Sequence, residues 1–134
     1  MVPSPDILLV MVADDDDDFR AGIVAALQAQ GHSTIEARDG KELLDLLQQT
    51  QDAKPSRRPD VLLADVKMPN LSGLGVLEEL RRLHWNVPVV AMTGLRDASI
   101  GTVAMRLGAF GVLHKPFDTA QMLTALRAAT TRPS

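Results

Sequence analysis

Four runs of the chain are apolar at every position or nearly so: Ile7–Val12, Val61–Ala64, Val87–Met92 and Phe110–Leu113. Unbroken runs of this length predict strands covered on both faces, as in a parallel sheet packed by helices. Pro88 stands at the start of the third run, where a missing N–H does least damage. A fifth run, Ser33–Ala37, alternates polar and apolar residues and predicts a half-exposed edge strand. Between the runs the pattern turns to helical period. Phe19, Ile23, Val24 and Leu27 share one face, and Leu43, Leu44 and Leu47 another. Val76, Leu77, Leu80 and Leu83 form a third stripe, Ile100, Val103, Ala104 and Leu107 a fourth, and Met122, Leu123 and Leu126 begin a fifth. Gly31 and Gly108 stand where the first and fourth helices must stop, and Asp39 and Asp118 where the second and fifth can be capped.

Strand and helix thus alternate five times, which predicts an α/β fold: a three-layer, doubly wound (βα)5 sandwich around a parallel sheet. With right-handed crossovers, the three wholly apolar strands belong at the centre. The alternating second strand then takes one edge and the glycine-containing fifth the other, giving the order 2-1-3-4-5. The stretch Gln51–Pro59 is polar, holds two prolines and reads as a surface loop.

Composition narrows the class. The 134 residues are 46% hydrophobic and 23% charged, which suits one globular domain over residues 1–134, its core from about Ile7 to Ala129. The net charge of −3 offers no basic field for nucleic acid or anionic lipid. The absence of cysteine excludes disulfides, thiolate metal sites and a cysteine nucleophile. No run approaches the ~20 apolar residues of a membrane span, and Met1–Asp6 lacks a positively charged leader, so the expected compartment is the cytoplasm.

In an open α/β sheet, ligands bind outside the carboxyl ends of the strands. Here the first strand ends in Asp14-Asp15-Asp16-Asp17-Asp18, the third in Asp65, the fourth in Thr93-Gly94, and the fifth in His114-Lys115-Pro116-Phe117. Asp16, Asp17 and Asp18 read as the acidic cap of a helix. Asp14 and Asp15 leave directly from a buried strand, and neighbouring first and third strands would bring Asp65 beside them. Three carboxylates so close repel one another unless a cation compensates, and Mg²⁺ suits an all-oxygen site of this kind. Lys115 would project over the acids and pair with Asp65, and Thr93 offers a hydroxyl to an added oxyanion.

These residues, in this order and at these spacings, resemble the receiver domain of two-component response regulators, similar to the chemotaxis-type single receiver. The motifs are Asp14-Asp15 with Arg20, Pro59–Asp65 followed by Met68-Pro69 and Gly73, Pro88–Gly94, Gly108-Ala109 and Lys115-Pro116-Phe117. The resemblance implies a flavodoxin-like fold and roles residue by residue. Asp65 would accept a phosphoryl group from the phosphohistidine of a histidine kinase or phosphotransfer protein. Asp14, Asp15 and Asp65, with the backbone carbonyl of Lys67, would hold Mg²⁺, and Thr93 and Lys115 would bind the phosphoryl oxygens. The domain would be a regulatory phosphoacceptor, assisting only its own phosphorylation and dephosphorylation. The face made by the fourth helix, fifth strand and fifth helix would change on phosphorylation, for a downstream protein target, an output domain or self-association.

Three positions depart from the family pattern. Val112 stands where an aromatic switch residue is common, and Lys67 and Leu95 replace a polar pair that often orients hydrolytic water. Slow loss of the phosphoryl group and a modified switch, through the Thr93–Arg96 loop and the helix holding Ile100 and Val103, are therefore expected. The rival readings are a pseudo-receiver that binds protein without phosphate and a Mg²⁺-dependent phosphatase. A flavin domain is disfavoured because no Ser/Thr-rich phosphate loop follows the first strand. No output segment follows the fifth helix before Ser134, which fits a stand-alone receiver or a piece of a longer regulator.

Overall fold

The structure, a computed structural model, describes residues 7–51, 58–94 and 98–131. Strands β1 (Leu9–Ala13), β2 (Ser33–Ala37), β3 (Val61–Asp65), β4 (Val89–Gly94) and β5 (Gly111–Lys115) form one sheet in the order β2-β1-β3-β4-β5. All four pairings are parallel. Helices α1 (Asp17–Ala29), α2 (Gly40–Gln51), α3 (Gly73–Arg82), α4 (Ala98–Arg106) and α5 (Thr119–Thr130) alternate with the strands. This is the predicted (βα)5 architecture.

Because side chains alternate across a strand, each central strand feeds two cores. Met11, Ala13, Leu62, Ala64 and Ala91 pack with Leu43 and Leu47 of α2, Val76, Leu77 and Leu80 of α3, and Ala104 of α4. Val10, Val12, Leu63, Val90 and Met92 pack with Ile23 and Leu27 of α1 and Met122 and Leu126 of α5. Each buried Val, Leu, Ile or Met among them contributes ~1.5–3 kcal/mol to the gross hydrophobic term. The helix signals hold too. Gly31 and Gly108 take φ of 88° and 107°, and the Asp118 carboxylate and Gln121 side chain cap α5 reciprocally.

The boundaries shift for physical reasons. Ile7 is 71% exposed and lies before β1. β4 starts after Pro88, whose carbonyl still accepts from Leu62 N–H at 2.9 Å. β3, β4 and β5 run past their apolar residues because pairing continues: Asp65 opposes Met92, Thr93 opposes His114 and Gly94 opposes Lys115. In α4 only Ala104 of the expected stripe is fully buried, and Val103 is exposed. The helix turns its smallest residues to the sheet, since a Cβ built on Gly101 would lie 3.4 Å from Val112 Cγ1. Leu83 follows α3 at its cap, half in solvent. The expected loop Gln51–Pro59 is corrected at both ends: Gln51 closes α2 and Pro59 is buried, while residues 52–57 lie outside the described residues. Leu95 and Arg96 lie outside them too.

Candidate functional site

The neighbouring register of β1 and β3 ends with Ala13 beside Ala64, so the next residue of each strand meets at the carboxyl edge of the sheet. Asp14 is buried there, held by three backbone contacts. Its N–H donates to Ala37 O (3.2 Å), its Oδ1 accepts from Asp16 N–H (2.9 Å), and its carbonyl accepts from Arg20 Nη1 (2.6 Å). Arg20 is itself buried and reaches Glu36 of β2 at 3.0 Å and Asp17 at 2.7 Å. Burial works against its charge, and the two carboxylates overcome it, raising its pKa further above the usual value. Asp16 caps α1 by accepting from Phe19 N–H, which leaves Asp15 alone of the first pair projecting into solvent.

Asp65 is the last residue of β3 and is buried. Its Oδ1 accepts from Lys67 N–H at 2.7 Å, and its Oδ2 lies 2.5 Å from Lys115 Nζ. Lys115 spans the site, with Nζ also 2.9 Å from Asp14 Oδ2. The ring of Phe19 lies 4.1 Å from the same ammonium and stands edge-on to Phe117. The lysine therefore spends its charge on two carboxylates and a π face. One carboxylate oxygen from each of Asp14, Asp15 and Asp65 lies within 4.8 Å of the others.

The pair responds unequally to burial. For Asp65, desolvation outweighs the Lys115 and Lys67 hydrogen bonds, and with the repulsion of Asp14 it raises the carboxyl above its ordinary range. For Lys115, burial pulls downward but Asp65 and Asp14 overcome it, so the ammonium is held above its usual value. The site thus keeps its cation and strains the Asp65 anion.

Thr93, buried at the end of β4, places Oγ1 3.0 Å from Nδ1 of His114. The structure therefore brings together Asp14, Asp15, Asp65 and Lys115, and it sets the Thr93 hydroxyl on the neighbouring strand, bonded to a histidine. Lys67 is exposed two residues beyond Asp65. Sequence reasoning missed two partners, Phe19 against the lysine and His114 on the hydroxyl. Period-two spacing, which puts His114 on the same face of β5 as Val112, was the available signal for the second.

An open parallel sheet with acids, a lysine and a hydroxyl at its carboxyl edge defines a class, and comparison with known proteins agrees. The chain belongs to the response regulator receiver domain family, whose model matches residues 10–127. It is 34% identical over 121 residues to the DNA-binding transcriptional regulator NtrC of Escherichia coli K12, covering 90% of this chain and 24% of that protein. It is 35% identical over 128 residues to the transcriptional regulatory protein FixJ of Azorhizobium caulinodans, covering 96% and 57%. The chain thus spans about a quarter of one relative and a little over half of the other. Among solved structures, FixJ-N superposes with a TM-score of 0.82 at 26% identity, covering 94% of this chain and 95% of that one. The receiver domain of the Francisella response regulator 1452 gives 0.80 at 28%, covering 92% and 96%. No helix among the described residues is long and apolar enough to cross a membrane.

Proposed function

We propose that the chain is a single receiver domain that accepts a phosphoryl group on Asp65 and switches a protein surface in response. The observation that carries this reading is the Asp14–Asp15–Asp65 cluster bridged by Lys115. The donor set is all carboxylate oxygen, with one member in solvent where water completes a coordination shell, and that chemistry fits Mg²⁺. Asp14, Asp15 and Asp65 would hold it with the carbonyl of Lys67. Bound there, Mg²⁺ would offset charge on the transferred phosphoryl group.

The chain's own residues do the rest. A carboxylate oxygen of Asp65 attacks the phosphorus of a phosphohistidine, the P–N bond breaks, and the imidazole leaves with the bonding pair. Lys115 stays protonated and moves its donors from carboxylate to phosphoryl oxygen. The Thr93 hydroxyl donates to another. The donor is a histidine kinase or phosphotransfer protein, the compartment is cytoplasmic, and the role is regulatory rather than catalytic. The responding surface is the α4–β5–α5 face, where Val103, Met105 and Phe110 are exposed and where a target, an output domain or a second copy would dock.

Incubation with Mg²⁺ and acetyl phosphate, followed by intact mass, tests the reading. One added phosphoryl group, absent without Mg²⁺ and absent in Asp65→Asn, is expected. A chain that stays unmodified at saturating donor would instead be the pseudo-receiver, and steady release of phosphate from small esters would make it a phosphatase.

A further inference from the structure

Thr93 and His114 are register partners across β4 and β5, and their side chains meet at 3.0 Å. The histidine also lies against α4: a Cβ built on Gly101 would be 3.8 Å from His114 Cε1 and 3.4 Å from Val112 Cγ1. The imidazole thus touches the hydroxyl on one side and faces the helix on the other, beside Val112, which also reaches the helix but has no polar atom to meet the hydroxyl.

We propose that His114 is a positioning residue for Thr93, competing with the phosphoryl group for the single hydroxyl proton and carrying the loaded state of Asp65 to α4. This rests on the phosphoacceptor reading. A threonine hydroxyl has one proton to donate. In the unloaded site that proton goes to Nδ1 of a ring protonated on Nε2. An oxyanion on Asp65 claims the same proton, and Nδ1 must then turn away from Oγ1 or become a donor to it. The first outcome displaces the ring beside Gly101, where the helix has no side chain of its own to absorb the change; the second keeps the ring in place with a proton on Nδ1.

Loading therefore favours ring forms that carry a proton on Nδ1, the imidazolium among them, and by reciprocity a charged ring favours loading. Among the described residues of the elements packed against the ring, β4 presents no titratable side chain, α4 carries one charged residue, Arg106, five residues beyond Gly101, and the Lys115 ammonium is turned to Asp14 and Asp65.

The test is ¹⁵N spectroscopy of the His114 ring across pH, with and without Mg²⁺ and beryllofluoride, while ¹⁹F signals report occupancy of Asp65. The Nδ1 resonance is expected to move on binding and the ring's titration midpoint to rise. Beryllofluoride should bind about fivefold more tightly at pH 6 than at pH 8, measured against His114→Leu as the pH control. In the absence of the competitor, His114→Leu should bind more tightly than wild type at pH 8 and lose the α4 amide shifts. His114→Asn, which can offer a donor or an acceptor near the Nδ1 position, should restore those shifts without the pH dependence. Bound fluoride with a silent His114 ring would overturn the inference and leave the phosphoacceptor reading intact. No bound fluoride at any concentration would overturn both.

Discussion

Asp14 and Asp65 share one ammonium while Asp15 stands beside them, so each carboxylate added to the site costs more than the last. Asp65→Asn leaves a matched Asp14–Lys115 pair, and its melting temperature at pH 7 should exceed that of wild type. The pH dependence follows from the direction of the shift. A carboxyl whose pKa is raised by folding favours the protonated form, so its penalty grows as pH climbs through the unfolded value and is complete above the folded one. The advantage of Asp65→Asn should therefore shrink as pH falls from 7 into the acid range, which thermal melts at matched ionic strength would measure. An advantage that is flat with pH would contradict the burial argument. Lys115→Met takes away the shared partner and should destabilise by ~2 kcal/mol, below the buried-pair range because the ammonium is partly solvated. Asp14 gives this position its leverage, since its carboxylate is almost wholly enclosed.

Among the elements, α3 is set by one contact. A Cβ on Gly73 would collide with the carbonyl of Asp65 and with Val66, so the first turn of the helix lies directly beneath the end of β3. Gly73→Ala should cost ~1–3 kcal/mol by overpacking and should slow phosphorylation by acetyl phosphate as well, because the displaced backbone is that of Asp65 itself. Urea melts and loading rates together check this, and a loss of stability with unchanged loading would show that Asp65 tolerates the shift. The elements were legible in the sequence wherever burial on both faces forces an unbroken apolar run, as in Val61–Ala64. Their ends were less so. Pairing, not hydropathy, carries β5 through His114 and Lys115, and only the neighbouring strand supplies that pairing. The convergence of Asp14, Asp15, Asp65 and Lys115 followed from strand order alone. The histidine on Thr93 did not, because residue type says nothing of which hydroxyl an exposed ring will face. In α4 the stripe held for Ile100, Ala104 and Leu107, which pack on the core, and only Val103 turns outward, since Gly101 and Ala104 allow the closer approach.

For the whole molecule, three like charges gathered at one end of the sheet are a standing cost that a divalent cation can relieve. Binding to the folded form alone stabilises by mass action, ~1.4 kcal/mol at tenfold over the dissociation constant. Mg²⁺ should therefore raise the melting temperature by roughly 2–6 °C at that concentration, and Asp15→Ala, which leaves the buried pair untouched, should abolish most of the rise. Calorimetry with Ca²⁺ or Na⁺ at equal ionic strength separates binding from screening. A curve that moves equally with every salt would argue against an assembled site.

Asp65 is a strand residue, with its neighbour Val66 tied by its N–H to Met92 and its own carbonyl resting against α3. A group attached there would therefore be mounted on a post that does not give way. Thr93 is anchored in the same lattice of ladder bonds one strand over. What remains free to answer is a hydroxyl rotor, an ammonium at the end of a flexible stem and a ring at the sheet's edge. Motions of that size cost little and are reversed as readily as they are made. A signal built on them would need no reservoir of strain in the protein, and its duration would be set by the survival of one covalent bond rather than by the slow relaxation of a fold.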